Sequence, residues 1–197
     1  MMFSPKIDLS DKEVVGRLIE SCVRGNQKSQ KLLYQEFYGK MLTVCVRYAD
    51  NREEAKDILH DAYIKVFSNL INFENKGSLE GWIRRIVVNT AIDYVRKKRE
   101  IYSDYLIENN ADEDKMMPLD ELEETKYKEL KAEIILKLMQ KLSPAYRAVF
   151  NLFVIENYSH NEIAAELNIN VGTSKSNLAK AKMKLKELFD KYLEEKD

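Results

Sequence analysis

The stretch SHNEIAAELNINVGTSKSNLAKAKMKLKEL, residues 159–188, decides how the rest of the chain is read. Ser159 followed by Glu162 is a capping box, in which hydroxyl and carboxylate satisfy each other's backbone donors at a helix start. Ile163, Ala164 and Leu167 then fall on one face of a short helix. Asn168-Ile169-Asn170 interrupts it, and asparagine tolerates the left-handed backbone of a tight inter-helix turn. A new helix begins at about Val171. A short helix, a three-residue turn and a second helix form the helix-turn-helix layout.

At about 100° per residue, Val171, Leu178, Ala181, Leu185 and Leu188 share the side of the second helix that must pack inward. Thr173, Ser176, Asn177, Lys180 and Lys184 share the opposite side, where hydroxyl, amide and ammonium groups suit base edges and phosphates. Lys175, Lys182 and Lys186 line a flank and would neutralise backbone phosphate. An amphipathic helix with a solvated lysine face is the bland alternative. Five lysines and no acid from Gly172 to Lys186 favour DNA contact over it.

Upstream, the pattern is helical from Val14 to about Arg99. One helix covers Lys12–Arg24, and a second starts after Gly25-Asn26 and carries Leu32, Leu33, Phe37, Met41 and Val44. Asn51 and Glu54 form another capping-box pair. The helix they open has Ala55, Ile58, Leu59, Ala62, Tyr63, Val66 and Phe67 at helical spacing and ends near Leu70. Residues 72–77 are expected to be a loop. Ser78 caps a helix with Leu79, Ile83, Ile86, Val87 and Tyr94 inward, ending in Arg96-Lys97-Lys98-Arg99. Val88 and Ile92 lie outside that face and imply a further packing surface. Trp82, Arg85, Asn89 and Arg96 share another face, an aromatic platform with amide and guanidinium groups that suits unstacked bases. Trp82 taken alone would be a core aromatic.

Residues 100–126 lose apolar periodicity and are expected to be a mobile linker. Helicity resumes near Tyr127 with Ile134, Ile135, Leu138 and Leu142. Ser143-Pro144 then supplies a cap and a proline at the first helical position. The helix after it holds Val149, Phe150, Leu152, Phe153 and Ile155.

Charge follows the same division. Residues 1–99 carry 18 basic and 13 acidic side chains, residues 100–133 carry 4 and 12, and residues 134–197 carry 10 and 8. The net charge of -1 over 197 residues therefore conceals two basic modules and an acidic connector, a distribution suited to a polyanionic partner. Six glycines and three prolines count against an all-β chain. Cys22 and Cys45 match no metal-ligand spacing and are expected to be reduced, buried thiols. No apolar run is long enough for a membrane span, and the N-terminal residues lack a signal-peptide pattern, so a cytoplasmic protein is expected.

These residues resemble the extracytoplasmic-function (ECF) sigma factors of the sigma-70 family, the small bacterial RNA polymerase specificity subunits. Glu54-Ala55-Lys56-Asp57-Ile58-Leu59-His60-Asp61-Ala62-Tyr63 resembles the family's polymerase-binding helix. Trp82-Ile83, Asn89, Ala91-Ile92-Asp93 and Arg96-Lys97 resemble its promoter-reading helix. Leu142-Ser143-Pro144, Arg147, Tyr158-Ser159, Glu162-Ile163-Ala164, Gly172-Thr173 and Lys175-Ser176 resemble its −35-reading helix-turn-helix.

The resemblance implies an all-α fold of two small helical domains. A lead helix (1–26) would precede sigma region 2 (27–99), an acidic flexible linker (100–126) and sigma region 4 (127–197). It further implies that Asp57, His60, Asp61 and Tyr63 bind core RNA polymerase. Phe73, Asn75, Lys76, Trp82, Arg85, Asn89, Arg96 and Lys97 would bind and melt the −10 element, with a flipped base held by the loop 73–78. Thr173, Lys175, Ser176, Asn177, Lys180, Lys182 and Lys184 would read the −35 element.

Core polymerase, promoter DNA and an anti-sigma factor are the implied partners, with membrane tethering only through the last, and no cofactor is expected. The chain departs from the family pattern at four kinds of position. His60 stands for the usual glutamine, Leu79 for an aromatic, Ser174 for a valine that implies looser packing there, and Lys180 and Lys182 for arginines.

Two other readings stand beside this one. A stand-alone helix-turn-helix regulator would use the N-terminal helices for sensing or dimerisation, and would have no need of a single-strand platform. An enzyme fits least: His60 and His160 are a hundred residues apart, and no phosphate loop, metal set or nucleophile grouping accompanies them.

Overall fold

The computed structural model describes residues 11–103 and 132–195. Every regular element among them is helical: α1 (Lys12–Val23), α2 (Gln27–Val46), α3 (Arg52–Asn69), α4 (Leu79–Ser103), α5 (Ala132–Gln140), α6 (Pro144–Phe150), α7 (His160–Leu167) and α8 (Val171–Glu194). A 3₁₀ turn (Leu70–Asn72) follows α3, and a π turn (Asn151–Ile155) continues α6. Residues 104–126 of the expected linker 100–126, and the expected helix start at Tyr127, lie outside the described residues.

Two compact units emerge. The first takes its described residues from 11–46 and 51–91, the second from 47–50 and everything from 92 onward. In the first, α1 packs on α2 and on the 3₁₀ turn, and α2 packs on α3. Asp11 opens α1 by accepting from the backbone N–H of Glu13 at 2.8 Å, and Asn51 opens α3 by accepting from that of Glu54 at 2.9 Å. The apolar stripes close over Leu33, Phe37, Met41, Ile58, Leu59 and Ile83, all buried. Each such side chain contributes roughly 1.5–3 kcal/mol when fully withdrawn from water. Cys22 and Cys45 are free and buried, and burial pushes the Cys22 thiol up to about 11.

Helix α4 departs from its expected form in two ways. It continues to Ser103 instead of ending at Arg99, since no glycine or proline follows to stop it before Pro118. Val88 and Ile92, off the narrow inward stripe, are both buried together with Ala91 and Val95. The further packing surface expected from them therefore exists.

In the second unit α5, α6 and α7 each pack against α8. Leu138, Met139 and Leu142 meet Ala181, Leu185 and Phe189 in one buried cluster. Ser143 caps α6 through the N–H of Tyr146 at 3.4 Å, with Pro144 at the first helical position. The π turn was not foreseen. Its extra residue per turn buries Asn151 and Leu152 while leaving Val154 exposed.

Candidate nucleic-acid interface

The α7–α8 pair is built by local chemistry. The N–H of Ser159 donates to Glu162 Oε2 at 2.8 Å, and the Ser159 hydroxyl donates to the same oxygen at 2.7 Å. The N–H of Glu162 donates back to Ser159 Oγ at 3.3 Å. The Ser159 hydroxyl, then its N–H, hold the Glu162 carboxyl below its ordinary range. Asn168 ends α7 at φ 51°, ψ 53°, the left-handed conformation expected of it. Asn170 then caps α8 by accepting from the N–H of Thr173 at 2.6 Å. Gly172 sits under that cap: a Cβ there would come within 3.2 Å of Asn170 Oδ1.

On α8, Leu178, Ala181 and Leu185 are buried as expected, joined by Phe189 and Ser174, which the face reading did not include. Val171 and Leu188 are only half-buried. Lys175, Ser176 and Lys184 are exposed, while Thr173, Asn177, Lys180 and Lys182 are half-buried; Lys175 and Lys182 are the pair whose charges reach His160. Lys184 Nζ meets Glu187 Oε2 at 2.8 Å, an exposed pair that a phosphate could displace at small cost.

Ser174 corrects the expectation of looser packing. It is 0% exposed, and its Oγ lies 2.9 Å from His160 Nδ1. The imidazole stacks on Phe153, with ring centroids 4.6 Å apart. A hydrogen bond thus braces α7 against α8 where an apolar contact was expected. Burial, then the charges of Lys175 and Lys182, hold His160 below its ordinary value, which favours the neutral ring.

The first unit presents a different surface. Residues 73–78 form the expected loop, turned by Asn75 (φ 58°) and Gly77 (φ 128°) in the left-handed region. The Ser78 hydroxyl oxygen accepts from the N–H of Gly81 at 3.0 Å and starts α4. Phe73, Lys76, Ser78, Trp82 and Arg85 line a recess of about 450 Å³. Trp82 is half-buried, with Phe73 edge-on at 5.6 Å, so it is a wall of this recess as well as part of the packing. Lys76 pairs with Glu74 at 2.6 Å, both well exposed.

Asn89 does not reach this recess. It lines a second one of about 340 Å³ on which Trp82 also borders, together with Lys65, Asn69 and Asn72. The sequence reading missed Lys65, Asn69 and Asn72, because their meeting with α4 is a tertiary event without a local signal. Arg96 pairs with Asp93 at 2.7 Å, and Lys97 is exposed. Neither lines a recess.

On α3, Asp57, His60 and Asp61 are exposed and share one side. Tyr63 does not join them. It is 3% exposed, with its ring 4.6 Å from Tyr34 and 5.8 Å from Phe67, so it supports the helix from inside. Ile64, one turn after His60 and 57% exposed, takes its place on the outer surface. Its position off the apolar stripe was the available signal. Among the described residues no three His, Cys, Asp or Glu side chains converge as a metal site, and no helix is long and apolar enough to cross a membrane.

Comparison with known proteins bears on both surfaces. Residues 33–101 match the family model for Sigma-70 region 2, and residues 132–185 match that for Sigma-70, region 4. The RNA polymerase sigma-H factor of Pseudomonas aeruginosa is 28% identical over 183 residues, covering 90% of this chain and 93% of its own length. The ECF RNA polymerase sigma factor SigW of Bacillus subtilis is 27% identical, covering 88% of this chain and 96% of its own. The ECF RNA polymerase sigma factor SigE of Mycolicibacterium smegmatis is 28% identical over 83% of this chain, which spans 62% of that relative's length.

Proposed function

The chain belongs to the sigma-70 family, and from that premise we propose that it is an ECF-class specificity subunit of RNA polymerase. It binds core polymerase and directs initiation at promoters carrying matched −10 and −35 elements. It is a non-catalytic initiation factor that acts in the cell interior. The observation that supports this reading is the presence, in one chain, of a helix-turn-helix pair with a lysine-rich second helix and of a recess walled by Phe73 and Trp82. A stand-alone duplex-binding regulator has use for only the first.

The division of labour follows the two units. Region 2 (27–99), with α1 of the lead segment packed on it, docks on polymerase through the exposed side of α3. Asp57 and Asp61 meet basic groups there, while His60 and Ile64 add polar and apolar contact. The loop recess takes a base flipped from the non-template strand of the −10 element. Phe73, Asn75, Lys76, Trp82 and Arg85 bound or flank that recess, so contacts made there offset the few kcal/mol of unstacking. Asn89, Arg96 and Lys97 extend the −10 contact along α4.

Region 4 (127–197) lays α8 in the major groove of the −35 element. Thr173, Ser176 and Asn177 face base edges, while Lys175, Lys180, Lys182 and Lys184 face phosphate. Lysine lacks the bidentate fork of arginine, so these four contribute affinity more than base discrimination. The acidic stretch after α4, outside the described residues, would connect the two regions. An anti-sigma factor covering these surfaces would hold the protein inactive.

Run-off transcription with core polymerase on a library of random upstream sequences tests the reading. New start sites behind a shared pair of upstream elements, dependent on this protein, are expected. Direct sequence-specific duplex binding without any polymerase-dependent initiation would reject it.

A further inference from the structure

We propose that His160, with Lys175 and Lys182, holds a backbone phosphate of the −35 duplex at the α7–α8 junction, and that its imidazole takes up a proton from solvent as the DNA binds. The proposal rests on the reading of α8 as the helix that enters the −35 major groove.

In a helix-turn-helix the helix before the recognition helix crosses the sugar-phosphate backbone, and His160 is the first residue of that helix. Its ring is fixed on two sides. Nδ1 lies 2.9 Å from Oγ of the buried Ser174, and one face stacks on Phe153 with the ring planes 25° apart. Nε2, on the far edge, has no protein partner among the described residues and is open to solvent. A ring clamped in this way loses little freedom when Nε2 donates to a ligand.

Charge defines the ligand. The charges that act on the imidazole are Lys175 and Lys182, both from α8. Neither ammonium has an ion-pair partner among the described residues, whereas Lys184 is engaged by Glu187. The π turn that carries Phe153 has no titratable side chain, and Glu156, which follows it, is paired with Arg47 at 3.2 Å. On α7 itself, the Glu162 carboxylate is occupied by the hydroxyl and N–H of Ser159. Two unpaired ammonium groups beside an imidazole edge repel a metal cation and suit a phosphodiester.

The same groups set the proton balance. In the free protein, burial and then Lys175 and Lys182 favour the neutral ring. A phosphate offsets both ammonium charges and accepts a hydrogen bond from Nε2, and each effect favours the imidazolium. With both ring nitrogens protonated, Nδ1 donates to Ser174 Oγ, so the brace between α7 and α8 survives. Affinity for −35 DNA therefore gains as pH falls through the range where the bound ring is charged and the free ring is not.

The experiment titrates holoenzyme, assembled from the full chain and core polymerase, with a duplex carrying the −35 element found by run-off transcription. Between about pH 8 and about pH 6, the native chain should gain roughly three- to tenfold more affinity than His160→Asn, whose amide keeps a hydrogen bond to Ser174 without titrating. Each −35 phosphate is then replaced in turn by a neutral methylphosphonate. The excess gain of the native chain should vanish at one phosphate and persist at the others. Calorimetry in buffers of different ionisation heat should register proton uptake by the native holoenzyme that His160→Asn lacks. A purely structural histidine would instead lower affinity alike at every pH and with every DNA. The proposal is overturned if native and His160→Asn share one pH dependence, or if no single methylphosphonate removes the excess. The methylphosphonate series needs only the native chain, so it decides the question even if the variant folds poorly. Duplex binding left intact by Lys180→Ala with Lys184→Ala would reject the reading of α8 itself, and the phosphate site with it.

Discussion

The α7–α8 pair and the Trp82 recesses, proposed to serve the same polyanion, are built by opposite means. The hydrogen bonds that shape the helix pair join residues no more than 14 apart, the longest being His160 to Ser174, and the proposed DNA contact there is made by lysines. The recesses gather side chains from residue 65 to residue 90 around one indole and offer the proposed DNA contact an aromatic wall and amides. Charge acts at a distance and is screened by salt. Stacking and amide hydrogen bonds act only on a base that has already left the helix. The two surfaces therefore differ in salt dependence and in the step of initiation they control.

The largest expected effect comes from Trp82→Ala, which removes the wall common to both recesses. Promoter opening, followed by permanganate reactivity of unpaired thymines, should fall roughly ten- to hundredfold. Binding to a −35 duplex should be unchanged, and an equal loss there would break the contrast.

Next is the pair Lys180→Ala with Lys184→Ala. Affinity for promoter duplex should drop, and the slope of log affinity against log salt should become shallower by about two. Binding to single-stranded −10 DNA should keep its slope. An unchanged duplex slope would remove α8's lysine side from the interface.

A smaller effect is expected at the turn. Asn168→Ala removes the short polar side chain that eases the left-handed backbone there and should lower stability by about 1–2 kcal/mol, read from urea unfolding. Asn168→Gly should be close to neutral, because glycine occupies that region freely.

The smallest is a pH dependence from His160. Its folded value is lowered, so the folded state favours the neutral ring. Its contribution is fully present above the ordinary imidazole value near 6.5 and declines as pH falls below it, where the unfolded chain takes up the proton first. The urea midpoint should therefore fall between pH 7.5 and 5.5, and His160→Phe should remove part of that fall. An identical slope in the variant would place the titration elsewhere.

Much of this was legible in the sequence, and the reason is range. Ser159 with Glu162, Asn168 in its turn and the alternation of leucine with lysine on α8 are signals spanning one or two helical turns, and each holds in the structure. Errors arose where a helix had more neighbours than a single stripe implies. The resemblance implied a polymerase contact for Tyr63, whereas its place on the apolar stripe pointed inward, where it meets Tyr34 on α2. Ser174, polar and therefore expected to pack loosely, is sealed by an imidazole from the preceding helix.

The sequence alone determined that the described residues are helical, where most of their helices start and stop, and that Leu178, Ala181 and Leu185 form the buried side of α8. Those properties depend on backbone hydrogen bonds, caps and a periodicity of a few residues. Tertiary structure alone decided that Val88 and Ile92 are covered, that His160 braces Ser174, and that Asn69 and Asn72 join Asn89 beside Trp82. Such placements depend on which helix faces meet, and a single helix carries no record of its neighbour's side chains.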